Sequence, residues 1–317
     1  MMRRPLKTAP LLLLVAGALG CSRDSTSGAQ TALLDERVKK VDARLAAAAQ
    51  DTTEDAPIAK WILPKELTEI SGIAVMPDGR IAAHNDERGR VYVIDPKRGM
   101  IMKQFSLGES GVVADFEGIA VEGSDIFLMT SNGNVYQFRE GAANANVPYV
   151  LHDTKLGKEC EFEGIAIEPG TGAFLMPCKV IGKKSERNQL RIYRWLARRR
   201  GGPEVSTISV PLADAVGANG WKELAPSDIT IDDVTGHYII ITGREKALIE
   251  ITPQGTAVRS FPLPGSPRQP EGVAIANGVL IVSDEGVSRP ADITLFPWRR
   301  ASGTESAPAA GDSSTAN

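Results

Sequence analysis

Three glutamates stand in one local context along this chain: Asp115-Phe-Glu-Gly-Ile-Ala120, Glu161-Phe-Glu-Gly-Ile-Ala166 and Gln269-Pro-Glu-Gly-Val-Ala274. Two further segments, Glu69-Ile-Ser-Gly-Ile-Ala74 and Ala225-Pro-Ser-Asp-Ile-Thr230, align with them and put a serine at the same place. The equivalent set is Ser71, Glu117, Glu163, Ser227 and Glu271. If a fold gathers these side chains, three carboxylates meet in a confined space, where they either take up protons or share a cation. An all-oxygen set suits calcium, which accepts about six to eight hard ligands in loose geometry. Zinc would want imidazole or thiolate. The plainer alternative is that the glutamates bond backbone groups or waters in a structural channel.

Two residues before each of these positions, on the same side of a strand by its period of two, come Glu69, Asp115, Glu161 and Gln269. Elsewhere, turns between apolar runs carry Asn85, Asp86, Glu87, Asn132, Lys179, Arg244, Asp284, Glu285 and Arg289. Together they predict an acidic rim with a few cations, in which Asp86, Glu87, Lys179, Arg244, Asp284 and Glu285 are the candidates for contacting a ligand. A solvated loop face is the plain alternative for any one of them. Nucleophilic triads find no support. The histidines are His84, His152 and His237, none in a metalloprotease or nucleophile-elbow motif, and Ser283 lacks the flanking glycines of such an elbow.

The elements that position these residues follow from the repeat. The five segments recur at about 45 residues, apart from one longer interval, and that period is one four-stranded propeller blade. After each comes a turn such as Pro77-Asp-Gly79, then a second apolar strand: 81–83, 126–129, 173–176, 238–241 and 279–282. Third strands follow at 91–94, 135–138, 190–193, 247–251 and 293–296, and fourth strands at, for example, 100–105 and 205–210. The fifth repeat runs out of apolar sequence at Trp298, so Ile58-Ala-Lys-Trp-Ile-Leu63 is expected to supply its outer strand and close the ring. The predicted fold is all-β, a single five-bladed β-propeller, with six blades as the alternative count. In such a ring the first strands line the central channel, which brings Ser71, Glu117, Glu163, Ser227 and Glu271 to one axis. Cys160 and Cys178 fall near the mouth of the third blade, where a disulfide and two free thiols are both open readings.

The ends read differently. Arg3, Arg4 and Lys7 precede the apolar run Leu11 to Gly17, which is too short to span a membrane and reads as a signal peptide over residues 1–20. It ends in Ala18-Leu19-Gly20-Cys21, which resembles the bacterial lipobox and makes Cys21 the expected lipidation site. Ser22 after the cysteine leans towards the outer membrane, facing the periplasm, rather than the inner membrane. Residues 21–56 are expected to be a lipidated tether containing a short amphipathic spacer helix, from the spacing of Leu34, Val38, Val41 and Leu45. The propeller is assigned to 57–300, and 301–317, poor in apolar bulk, to a disordered tail. A formal charge of -3 gives no footprint for nucleic acid, the basic run Arg198-Arg199-Arg200 reading as a solvated turn.

The Ser-Gly-Ile-Ala and Asp-Phe-Glu-Gly-Ile-Ala signatures, with Asn85-Asp86-Glu87-Arg88-Gly89 before Val91-Tyr92-Val93-Ile94-Asp95, resemble the SdiA-regulated domain family of bacterial exported β-propellers over about residues 60–298. That resemblance implies an exported propeller and no particular activity. The order Ser, Glu, Glu, Ser, Glu also resembles the central calcium site of the calcium-activated apyrases, another five-bladed propeller family. There the likeness stops at the ring and a loose counterpart in Asn85-Asp86-Glu87-Arg88. Two functions are carried forward: an envelope-anchored, calcium-containing module that binds a small molecule, glycan or protein or serves as a scaffold, and a calcium-dependent hydrolase of phosphate esters or similar anions. In the hydrolase, Asp86 or Glu87 would act as general base and Lys179, Arg244 and Arg289 would meet the anion.

Overall fold

The computed structural model describes residues 24–50, 56–197 and 203–301. The expected signal peptide, Cys21, the Arg198–Arg200 run and residues 302–317 lie outside them. Helix α1 (Asp24–Gln50) is followed by β1 (Ala59–Ile62). Blade 1 is β2 (Ile70–Val75), β3 (Ile81–Asn85), β4 (Arg90–Asp95) and β5 (Met100–Leu107). Blade 2 is β6 (Phe116–Glu122), β7 (Asp125–Thr130) and β8 (Asn134–Arg139), with β9 (Asn146–Val147) crossing to pair with β5 before β10 (Val150–Asp153) completes the sheet. In blade 3 the inner strand is split into β11 (Cys160–Phe162) and β12 (Ala166–Glu168), both paired with β13 (Ala173–Ile181), then β14 (Gln189–Leu196) and β15 (Glu204–Pro211). A short helix α2 (Leu212–Val216) leads to blade 4, β16 (Pro226–Ile231), β17 (Tyr238–Thr242), β18 (Ala247–Ile251) and β19 (Ala257–Pro262). Blade 5 is β20 (Pro270–Ala276), β21 (Val279–Asp284) and β22 (Asp292–Pro297).

The fold is thus the five-bladed propeller the repeat predicts, closed as expected: β1 pairs antiparallel with β22, Ala59 opposite Leu295 and Ile62 opposite Asp292. Inner strands touch their neighbours in order, and β2 touches β20. Apolar residues fill the seams between blades. Phe105, Phe116 and Phe138 pack between blades 1 and 2, and Phe162, Tyr193 and Trp195 help fill blade 3's seam. The signature glycines have a steric reason. A Cβ on Gly118 would lie 2.8 Å from the Cα of Gly164, and one on Gly164, at φ +79°, would lie 2.5 Å from the Cα of Asp228. Five inner strands converge so closely that a side chain at this level is nearly excluded.

Helix α1 is longer than the sequence suggested and is no free spacer. Its stripe of Leu34, Val38, Val41 and Leu45 turns inward, and Val41 is buried in one core with Leu67, Ile81 and Leu295. The Arg44 guanidinium donates to the Ile58 carbonyl at 2.9 Å, Lys97 pairs with Asp42 at 2.7 Å, and Arg299 donates to the Ala48 carbonyl at 2.8 Å. The turns around Asp78, Pro96 and Asn277 face this helix. They join first to second and third to fourth strands, so α1 sits on the face opposite the one where the inner strands begin.

Candidate functional site

Each ring residue is delivered by a break in strand register. Ile70 pairs with Asn85 and Gly72 with His84, leaving Ser71 as the extra residue. The same two-against-one step leaves out Glu117 in blade 2, Ser227 in blade 4 and Glu271 in blade 5. A β-bulge kinks its strand and re-aims the side chain of the unpaired residue. Blade 3 departs from this. There the extra residue is on the partner strand: Glu161 pairs with Val180 and Phe162 with Cys178, which leaves Lys179 unpaired. Glu163 lies in the gap between β11 and β12. The Cys160–Cys178 disulfide, with Cα atoms 5.7 Å apart, ties the two strands beside this irregularity.

The Lys179 ammonium is paired with the Glu163 carboxylate, which is 5% exposed, and lies 4.0 Å from Glu161. Burial and mutual repulsion act on all three ring glutamates. Burial, then the Glu163 and Asp115 charges, pushes Glu117 up to about 9. Glu271 is pushed up to about 8 by burial and Glu163, and Glu163 to about 7 by burial, against the pull of Lys179. The Lys179 ammonium is itself held above its ordinary value by Glu163, Glu117 and Glu161, against the opposing effect of burial. The serines face backbone: the Ser227 hydroxyl donates to the Pro270 carbonyl at 2.7 Å, and Ser71 to the Glu69 carbonyl at 3.2 Å. Among the described residues, no three His, Cys, Asp or Glu side chains are already gathered as a metal cage. In the ring, one of the carboxylates, Glu163, pairs with an ammonium instead.

One level below, Asp228 takes the place the other four blades give to glycine. It is 1% exposed, and its Oδ1 and Oδ2 accept from the backbone N–H groups of Ile229 and Val273 at 2.8 and 2.7 Å. Burial holds its carboxyl well above the usual range, with Glu271 and Glu163 adding to the effect.

The loops between second and third strands meet the starts of inner strands, as expected of the rim. Phe116 donates its N–H to the Asp86 carbonyl at 2.7 Å, and Gly286 to the Thr68 carbonyl at 2.8 Å. Asp86 and Glu285 are both held above the usual carboxylate range, mainly by burial, and each lies close enough to other acids to be raised further. Glu69, Glu87, Asp115 and Glu161 are exposed around them, and Gln269 donates to Glu285. The other rim residues have structural partners. Asp284 is 3% exposed; it accepts from the N–H groups of Arg268 and Gln269 at 2.9 and 2.7 Å and pairs with Arg289. Arg244 pairs with Glu223 on the surface, and Asn132 closes its own turn. Of the expected rim cations, Lys179 reaches the ring and the other two are bound to carboxylates outside it.

The histidines are engaged elsewhere. His84 is wholly buried, and burial pushes it down to about 4; Nδ1 donates to the Asn85 carbonyl at 3.0 Å, while Nε2 fills the space left by the missing side chain of Gly72. His152 bonds Gln137 and His237 bonds Glu250, at 2.8 and 2.7 Å.

No family model matches the sequence and no curated protein matches it, so the resemblance to the SdiA-regulated family gains no support from either comparison. Solved β-propellers are similar in fold. Glutaminyl cyclase of Myxococcus xanthus superposes with a TM-score of 0.52 at 11% identity, covering 77% of this chain and 97% of that one. The PQQ-bound aldose sugar dehydrogenase of Streptomyces coelicolor gives 0.46 at 14% identity, covering 76% and 99%, and virginiamycin B lyase of Staphylococcus aureus 0.42 at 15%, covering 74% and 69%. These likenesses are of fold and bring no activity with them.

Proposed function

We propose that this protein is an envelope-anchored binding module whose recognition centre is the carboxylate ring at the channel mouth, and that the ring takes up a calcium ion. The observation that carries the reading is the charge count: Glu117, Glu163 and Glu271 share one ammonium, that of Lys179. When all three are ionised the ring is short of two positive charges, a deficit that a divalent cation reduces whether it joins the ammonium or takes its place. Otherwise protons must do so, which is what the raised carboxyl values express. The residues that would hold the ion are the three glutamates, with the Ser71 and Ser227 hydroxyls beside them and waters completing an oxygen shell. Bound there, it would contribute positive charge for an anionic or polyhydroxylated ligand entering past Asp86, Glu87 and Glu285. The docking of α1 supports an orientation as well. Cys21 stands three residues before the helix, and the helix lies on the face opposite the mouth, so an anchored protein would present the mouth away from the membrane. For hydrolysis of phosphate esters no comparable support exists, since Arg244 and Arg289 are bound to Glu223 and Asp284.

The test is a calcium titration of the soluble domain by calorimetry and thermal melting. An ion that binds only the folded state stabilises it by about 2.7 kcal/mol at one hundred times its dissociation constant. Glu117→Gln, Glu163→Gln and Glu271→Gln should each weaken binding, and Glu69→Gln on the rim should not. No bound metal and no shift at millimolar calcium would overturn the proposal.

A further inference from the structure

Resting on that reading of the ring, we infer that Lys179 is a tethered competitor for the cation site, which an incoming divalent ion displaces from Glu163 onto Glu161. The geometry gives the ammonium two carboxylates to choose between. In the ring it pairs with Glu163, whose side chain is 7% exposed. On the rim Glu161 stands 4.0 Å away with its side chain 52% exposed, and the Lys179 side chain is itself 36% exposed. The backbone is held while the side chain swings: Lys179 is the bulged residue of β13, and its neighbour Cys178 is bonded to Cys160 across the strand pair.

Lys179 therefore acts as a specificity-determining residue. A monovalent ion that displaces the ammonium gains the ring no charge, because one positive charge has replaced another. A divalent ion gains one, and the displaced ammonium still finds a carboxylate at the rim. The ring should thus discriminate by charge, and its affinity should depend on a residue that is not itself a ligand.

The experiment measures calcium affinity, by calorimetry at fixed ionic strength, for the wild type, Lys179→Met, Lys179→Arg, Glu161→Gln and the double variant Lys179→Met/Glu161→Gln. Removing the competing charge should tighten binding by at least about tenfold in Lys179→Met. Lys179→Arg keeps a cation in place and should show no such gain. Glu161→Gln removes the resting place and should weaken binding several-fold, an effect that should vanish in the Lys179→Met background. That loss of effect is a coupling which mere structural support by Lys179 would not produce. If Lys179→Met fails to fold, the Glu161→Gln and Lys179→Arg measurements stand alone, and unchanged affinity in Glu161→Gln overturns the inference. Calcium binding of equal strength in wild type and Lys179→Met overturns it too while leaving the ring reading intact. Absence of binding in the wild type and in every variant refutes both.

Discussion

Replacing Glu117 by Gln should stabilise the metal-free protein, and increasingly so as pH rises. Glu117 sits in its bulge near Glu163, Asp115 and the Lys179 ammonium, and its carboxyl is pushed by burial and the charges of those two acids from 4.5 up to about 9. Because the folded value lies above the unfolded one, the folded state holds a proton that the unfolded chain has released throughout that window. Stability therefore falls as pH rises through it. Gln keeps the shape of the protonated acid and has no proton to lose. Between about pH 5.5 and about pH 8 the linkage caps the divergence at roughly 3.4 kcal/mol, from about 1.36 kcal/mol per unit. Partial exposure of Glu117 to the channel mouth screens the charge, so about half of that, roughly 1.5 to 2 kcal/mol, is the expected growth of the gap. For a domain of this size it corresponds to a change of about 3 to 8 °C in the difference between the two melting temperatures. Thermal or urea melts of both proteins in EDTA at the two pH values measure it. A gap of constant size would mean that the Glu117 carboxylate is fully solvated and that the ring imposes no electrostatic strain to be relieved by a cation.

The Cys160–Cys178 bond closes a loop of sequence separation 18, so Cys160→Ala/Cys178→Ala should lower stability by about 3 kcal/mol in denaturant melts. Reduction of the wild type should reproduce the loss, and a midpoint indifferent to both would show that the loop is equally constrained without the bond. With the proposed lipid anchor at Cys21, Cys21→Ser should release the protein from membranes. Retention of that variant in high-salt-washed membranes would count against the lipid anchor.

Much of the scaffold was legible because its physics is periodic. Alternating apolar strands between turn residues recur with the blade length, and the fifth repeat's missing strand pointed to the segment before the first, which β1 bears out against β22. The ring was legible for the same reason, since one position in a repeated strand becomes one level on an axis. The extent and docking of α1 were harder to read. An amphipathic stripe says that a helix has a face to bury, but the surface that buries Val41 and Leu45 is assembled from β1 and from blades 1 and 5, distant in sequence.

What stayed hidden lies where a repeat is broken. Lys179 read as one rim cation among three, because the apolar run that marks the second strand stops at 176 and left Lys179 in the turn beyond it, whereas β13 runs on to Ile181. A bulge in that strand leaves Lys179 unpaired, and its ammonium meets Glu163 in the ring. Asp228 was visible as the one mismatch in an alignment of glycines, yet the mismatch alone carries no sign: a polar residue there reads equally well as a fault in the alignment or as a loop. Its meaning depends on the neighbouring inner strand. At the seam between blades 2 and 3, the Gly164 N–H reaches the Glu117 carbonyl directly, at 2.7 Å. At the seam between blades 4 and 5 side chains make the connection instead, Asp228 accepting from Val273 and Ser227 donating to Pro270. A carboxyl with two N–H donors tolerates burial that an unpartnered one would not. The same arrangement places a fourth acidic group beneath the ring, where burial, then the Glu271 and Glu163 charges, hold its carboxyl well above the usual range.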